Sequence, residues 1–258
     1  MTTALAHSWY MAVRLLRSLA RQPWWIAISL IQPIVWLLLY GALFKRVVEI
    51  PGFGGGSYVD FLTPGIVIMS AAFSGGWGGM GLIEDLDRGV IDRFLVAPTS
   101  RVALIAGRLM QQAIVTVVQS VILVVLGLIV GAEFDGGLLG MVVLIAAAVL
   151  LGGAFGALSC GLALLVRREE TVIAAVQFVL LPLTFLSSVL MQQSLIPGWV
   201  QDVARFNPVN WAVQAGREAL AANADWGTVL SRSLSLLVFA VVCAWLATRA
   251  FRTYQRSV

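Results

Sequence analysis

Charge is scarce in this chain: Asp, Glu, Lys and Arg together make up 12% of its 258 residues, against about 25% in an average soluble domain. That scarcity excludes an ordinary solvated surface. Histidine occurs once, at His7, and cysteine twice, at Cys160 and Cys243, so one chain cannot assemble a zinc-type cluster of nitrogen and sulfur ligands. Both cysteines fall in apolar stretches, where a thiol packs as a small hydrophobe, and neither a disulfide nor a redox role is expected. The single lysine, Lys45, is followed by Arg46, so the phosphate-cradling GxxxxGK[ST] loop is absent and energy for any pumping must come from elsewhere. The start of the chain also lacks the apolar core and cleavage site of a signal peptide, so its first span is expected to remain. The basic residues behind the net charge of +4 are dispersed between apolar runs, which argues against a nucleic-acid reader.

What the chain has instead is apolar length, with 60% hydrophobic residues. A helix crosses the hydrocarbon core with about 20 mostly apolar residues. The runs predict six spans, over about Trp24–Phe44, Phe61–Ile83, Val102–Gly131, Leu138–Val166, Thr171–Met191 and Thr228–Thr248. Ahead of them, residues 1–22 read as an amphipathic helix with Arg14, Arg17 and Arg21 on one side and Trp9, Val13, Leu16 and Ala20 on another. Such a helix lies in the interface or simply leads into the first span. With six crossings, twelve Arg and Lys residues fall on the side of the termini and five opposite, which places both termini in the cytoplasm of an inner (plasma) membrane protein. The whole of 1–258 reads as one all-α transmembrane domain, with no internal repeat and one short flexible loop at Gly52–Gly56.

The segment Glu84–Pro98, EDLDRGVIDRFLVAP, joins the second and third spans. Leu86, Val90, Ile91, Phe94 and Leu95 recur at helical spacing, with Asp85, Asp87, Arg88, Asp92 and Arg93 as the polar remainder. Acidic residues at its start suit a helix N-terminus, and Pro98 suits its end. An exposed helix of this kind docks in a partner's groove or rests as an interfacial connector. Continuing into Ser100–Arg108, SRVALIAGR, this stretch resembles the cytosolic loop of type-2 ABC exporter permeases. The later Asn207-Pro208-Val209-Asn210-Trp211 with Arg217-Glu218-Ala219 is similar to that family's external segment before the last span. The compact form resembles the daunorubicin-resistance and multidrug permeases. The resemblance implies that Glu84, Asp87, Gly89, Phe94, Leu95 and Pro98 form a coupling helix seated on a separate ATP-binding subunit, present in two copies. ATP and magnesium would sit on that subunit, with no cofactor on this chain. It also implies a second permease chain, identical or not, and re-entrant external helices within 194–222.

Inside the spans, Gln32, Trp36, Tyr40 and Phe44 recur every fourth residue on one side of the first span. In the fifth, Gln177, Leu181, Thr184 and Ser188 share a face beside Pro182. Polar groups facing lipid are costly, so these faces meet helices or a cavity. The resemblance implies that the first and fifth spans bound the substrate route, making Gln32, Trp36, Tyr40, Gln177, Thr184 and Ser188 pathway candidates. Interface anchoring and polar contacts between helices are the alternatives. Gly75/Gly79 and Gly152/Gly156 match small-xxx-small packing, and the glycine density at 75–81 also allows a broken helix. Leu195, Ile196, Trp199, Val203, Phe206 and Trp211 give the polar Ser194–Ala222 segment an interfacial character.

Mid-span positions hold amides, hydroxyls and aromatics rather than ionisable groups, which disfavours ion coupling. Neither a filter nor a charged ring points to a channel. A lipid-modifying enzyme would have to use Glu84, Asp85, Asp87 and Asp92, with magnesium and a lipid diphosphate, but Arg88 and Arg93 among them fit docking better. The expectation is therefore an exporter permease for an amphipathic drug-like compound or a lipid. A lipid-linked glycan is a further alternative.

Overall fold

The computed structural model describes residues 10–17, 23–50, 53, 57–89 and 101–255. They form α1 (10–17), α2 (Pro23–Leu43), α3 (Tyr58–Gly76), α4 (Met80–Asp87), α5 (Arg101–Val130), α6 (Gly137–Val166), α7 (Glu169–Phe185), α8 (Gly198–Ala204), α9 (Pro208–Leu220) and α10 (Trp226–Gln255). Short 3-10 turns lie at Lys45–Glu49, Trp77–Gly79 and Gln193–Leu195, and no strand occurs among the described residues. In hydrocarbon each backbone N–H and C=O needs an internal partner, which a helix supplies within one segment. Four stretches are long and apolar enough to cross a membrane: Tyr58–Asp87, Ala106–Val130, Gly137–Val166 and Trp226–Phe251. Ala27–Leu43 is a shorter apolar helix. The chain is thus an all-helical membrane protein.

α6 is the central element, packed by α3, α5, α9 and α10. Leu62 and Ile66 of α3, Leu144 and Leu151 of α6 and Leu236 of α10 are fully buried. The periphery is equally apolar. Leu230, Leu234, Val238, Val241 and Trp245 of α10 are exposed, as are Ile31, Val35 and Leu38 of α2, as expected of surfaces solvated by lipid tails rather than water.

Local signals set the ends. Ser57 and Asp60 form a capping box at the start of α3. The second carboxylate oxygen of Asp60 accepts from the Glu133 N–H at 2.9 Å, tying the α5–α6 connection to the same end. α6 ends in a left-handed Arg167 (φ 55°), and α7 starts with Glu169 and Glu170 in its first turn, where the helix dipole favours acids. Before α10, Asp225 accepts from the Gly227 N–H at 2.9 Å and the Thr228 hydroxyl at 2.7 Å.

Two sequence expectations change. The fifth span was expected to run to Met191, but α7 stops at Phe185, three residues past Pro182. Proline removes one ladder N–H, and the carbonyls that follow are taken by side chains of α9 instead of by further helical turns. The helix expected to open at Glu84 and run to Pro98 starts four residues earlier, at Met80, and ends at Asp87. Arg88 N–H bonds Glu84 O at 3.1 Å and Gly89 N–H bonds Leu86 O at 2.9 Å, with Gly89 at φ +63°. A glycine in that conformation terminates a helix. Glu84, Asp85 and Asp87 therefore sit at the unfavourable C-terminal end of a helix. Phe94, Leu95 and Pro98 lie outside the described residues.

Candidate functional site

The acidic end of α4 is neutralised by arginines from three directions. Arg88 pairs with Glu84 at 2.6 Å within the same turn, exposed on both sides. Arg108 of α5 is ion-paired with Asp85 and also donates to Gly81 O at 2.7 Å. Arg14 of α1 approaches Asp85 at 3.9 Å. The Asp85 and Arg108 side chains are only 15% and 10% exposed, so this pair is shielded from solvent screening as a surface pair is not. Asp87 and Glu84 remain exposed. Three elements separated in sequence thus meet on one carboxylate. No group of three potential metal-ligating side chains occurs among the described residues, and Asp85 and Glu84 are occupied by guanidinium groups.

From Arg108 a polar lane runs along the buried face of α5. Arg108, Gln112, Thr116, Gln119 and Ser120 are all buried, at steps of four, four, three and one residues, which keeps them on one side. Gln112 Nε2 donates to Ser74 Oγ of α3 at 3.0 Å and lies 3.3 Å from Thr116 Oγ1. Gln119 Nε2 donates to Ser29 Oγ of α2 at 3.0 Å.

The glycines pack backbone on backbone. A Cβ built on Gly75 would stand 2.8 Å from the carbonyl carbon of Gly152 and closer still to its oxygen. One on Gly79 would meet Ser159 C at 2.8 Å, and one on Gly152 would lie 2.9 Å from Ala71 O. Gly156 faces Gly75 more loosely, at 3.6 Å from its oxygen. Between them the helix breaks into the 3-10 turn Trp77–Gly79. Ser159 Oγ bridges that break, donating to Gly76 O and accepting from Gly79 N–H at 3.0 Å.

At the opposite end of the bundle, α9 is a clamp. Asn207 caps it, accepting from Val209 N–H at 2.9 Å, and its amide donates to Leu183 O at 2.6 Å and Leu186 O at 2.9 Å. Asn210 Oδ1 accepts from Ser188 N–H at 3.0 Å and Ser188 Oγ at 2.8 Å, while its amide donates to Ala204 O at 3.0 Å. The Arg217 guanidinium donates to Phe61 O at 3.1 Å, Val189 O at 2.8 Å and Ser188 O, and lies 3.5 Å above the Phe61 ring. α9 also lies tight against the first turns of α6, where a Cβ on Gly140 would meet Ala219 C at 2.9 Å.

The pathway candidates divide between these surroundings. Trp36 stacks on Tyr40 at 4.8 Å and 11°, and Tyr40 meets Phe44 at 5.4 Å with the rings tilted by 34°. The column continues through Tyr58 to Phe61, beneath Arg217. Gln32 is exposed on α2. Gln177, with Phe178, Leu181, Pro182 and Phe185, lines an open apolar groove of about 580 Å³ on the outside of α7. Thr184 and Ser188 face inward instead. Thr184 donates to Leu180 O at 2.8 Å and Ser188 to Asn210. No described hydrogen bond or ring contact joins the α2 set to the α7 set. Thr184 and Ser188 are both buried; Ser188 is tied to the clamp through Asn210, whereas the Thr184 hydroxyl bonds back within α7.

The sequence offers Asp85 only as a carboxylate of the lipid-enzyme alternative and Asn210 and Arg217 only within the segment that carries the family resemblance, and it assigns Arg108 no site role. The signal for Arg108 is polar recurrence at 108, 112, 116 and 120 within an otherwise apolar span. Against known proteins, residues 7–221 match the ABC-2 type transporter family model. Over 258 residues the chain is 28% identical to the daunorubicin resistance ABC transporter permease protein DrrB1 of Streptomyces coeruleorubidus, covering 98% of this chain and 86% of that protein. It is 26% identical over 235 residues to the probable doxorubicin resistance ABC transporter permease protein DrrC of Mycobacterium tuberculosis, covering 90% and 83%. The match takes in the α4 end, the polar lane, the glycine contacts and the α9 clamp, and the chain belongs to the ABC-2 type transporter family.

Proposed function

We propose that this chain is the membrane half of an ATP-driven exporter of amphipathic, drug-like compounds or lipids. The family match over residues 7–221 carries this reading, and the sequence itself holds no phosphate-cradling loop. In this reading α2, the α3–α4 unit, α5, α6, α7 and α10 are six crossings. Both termini and the α4 end face the cytoplasm, on the side richer in arginine, and α8–α9 enter the external leaflet as a re-entrant cap. A second permease chain completes the route, and two ATP-binding subunits, carrying ATP and magnesium, dock beneath. Gln32, Trp36, Tyr40 and Gln177 are its substrate-facing candidates. The relatives named for daunorubicin and doxorubicin resistance favour flat aromatic solutes among the amphipathic ones, since ring stacking on exposed aromatics suits such shapes.

Affinity purification of the tagged chain from its native membrane, with mass spectrometry of what accompanies it, tests the assembly. A P-loop protein in stoichiometric amount is the expected result. Its reproducible absence beside intact, folded permease would remove the ATP-coupled reading. The residues Glu84, Asp87, Gly89, Phe94, Leu95 and Pro98 belong to the proposed docking segment, and Phe94→Asp with Leu95→Asp is expected to abolish that association without unfolding the spans.

A further inference from the structure

A buried ion pair is a weak source of stability, because desolvating both charges offsets most of their attraction. The Asp85–Arg108 pair nevertheless stands where α1, α4 and α5 meet, and Arg108 is held a second time by Gly81 O at 2.7 Å. Both bonds leave one nitrogen, Nη2, so a single donor of α5 holds two acceptors of α4, the Gly81 carbonyl and the Asp85 carboxylate. Above this joint, α5 is hydrogen-bonded to α3 through Gln112 and Ser74, and to α2 through Gln119 and Ser29. From residue 108 to 119 the lane spans eleven residues, about 17 Å at 1.5 Å each. A displacement of α4 is therefore passed to α5 at its foot and to α2 at mid-length, the helix that carries Gln32, Trp36 and Tyr40.

We propose that Asp85 and Arg108 are positioning residues of the transport cycle: their ion pair makes α4 and α5 move as one body, and the Gln119–Ser29 bond delivers that movement to α2. This rests on the reading of the chain as a permease driven by a separate ATPase. The pair acts through other residues and touches neither substrate nor nucleotide. Arg14 shares the carboxylate, so the arrangement also holds α1 to the moving body.

The test uses the full complex in proteoliposomes, with ATP hydrolysis, export of a fluorescent amphipathic dye and thermal midpoint measured on each variant. Asp85→Asn and Arg108→Gln are expected to keep the ATPase subunit bound and hydrolysing, while export per ATP falls about tenfold, within the usual range of a coupling free energy. Ser29→Ala is expected to give a smaller fall in the same ratio. Arg108→Lys, which keeps the charge and donors for both Asp85 and Gly81 O, is expected to keep at least half of the ratio that Arg108→Gln loses. An Arg108→Lys protein no better than Arg108→Gln, at equal thermal midpoint, overturns the joint. So does a loss of hydrolysis and export in parallel, scaling with the fall in midpoint, which is what a merely structural pair would produce. If the unaltered permease brings down no ATP-binding subunit, the exporter reading fails first, and that result is distinct from either of these.

Discussion

Replacing Gly75 by alanine adds a single methyl group where α3 packs backbone to backbone on α6. That methyl would stand 2.8 Å from Gly152 C and 3.0 Å from Gly152 Cα, with the carbonyl oxygen nearer still. Every obstructing atom is backbone, so no rotamer change relieves the clash, and α3 must move off α6 by roughly an ångström. Overpacking of this kind costs about 1–3 kcal/mol, and the rigid partner puts this case near the upper end. Gly153 is the matched control. It neighbours Gly152 on α6, yet a Cβ there would meet nothing within 4 Å. Gly153→Ala should therefore gain helix propensity, up to about 1 kcal/mol. Thermal inactivation of detergent-purified protein, followed by loss of the monodisperse chromatography peak, should place Gly75→Ala below the unaltered chain and Gly153→Ala level with it or above. Equal tolerance of both changes would refute the close backbone packing of α3 on α6.

Four further outcomes follow from the same geometry. Arg217→Met should strip three carbonyls of a charged donor, at about 1–3 kcal/mol for each one left unpaired, partly offset by no longer burying a cation. Hydrogen exchange should then rise in 186–190 and in α9 before it rises in α5. Asn210→Ala should lower the thermal midpoint more than Ser188→Ala, because Asn210 serves both Ser188 and Ala204 whereas Ser188 can lose its hydroxyl and keep the backbone bond. Gln32→Ala and Gln177→Ala should reduce export with unchanged midpoint and unchanged ATPase binding; unaltered export from both would remove them from the pathway. Asp225 has a carboxyl pKa held below the usual value by its bonds from Thr228 and Gly227. Its capping of α10 is complete above the unfolded value of about 4 and is lost as pH falls through the lower folded value. Exchange protection at the start of α10 should fall with acid in the native chain and be pH-independent in Asp225→Ala.

Apolar length was legible in the sequence because it is a property of single segments. Partnership was not. The spacing of Gly75, Gly79, Gly152 and Gly156 marks two small faces, but a four-residue period says nothing of register, and it is the structure that sets Gly75 on Gly152 and Gly79 on Ser159. The end of α7 was hidden for a related reason. Leu186, Val189, Leu190 and Met191 extend the hydropathy of the helix, whereas what ends it is Pro182 together with capping by Asn207, Asn210 and Arg217 from about twenty to thirty residues away. The carboxylates from Glu84 onward suit a helix N-terminus by sequence alone, yet they stand at a helix end. The helix had already begun beyond the glycines, and its unfavourable charges are met by Arg88 nearby and by Arg108 and Arg14 from other helices.

Polar side chains of the interior hold the α3–α4 unit at both ends, on either side of the turn Trp77–Gly79. Above Trp77, Phe61 O is held by Arg217, and Tyr58 donates to Leu190 O at 3.0 Å, so this part of α3 belongs mechanically with α9 and the end of α7. Below Gly79, Gly81 O and Asp85 are held by Arg108, so the lower part belongs with α5. A 3-10 turn within a helix is weaker than the α-helical turns around it and is where bending concentrates. Among the described residues Ser159 bonds across that turn, at Gly76 O and Gly79 N–H, and Gln112 of α5 reaches past it to Ser74 of α3 at 3.0 Å. Bending at Trp77–Gly79 therefore works against both contacts, and the Gln112–Ser74 bond is the one that must give if α5 moves with the lower part.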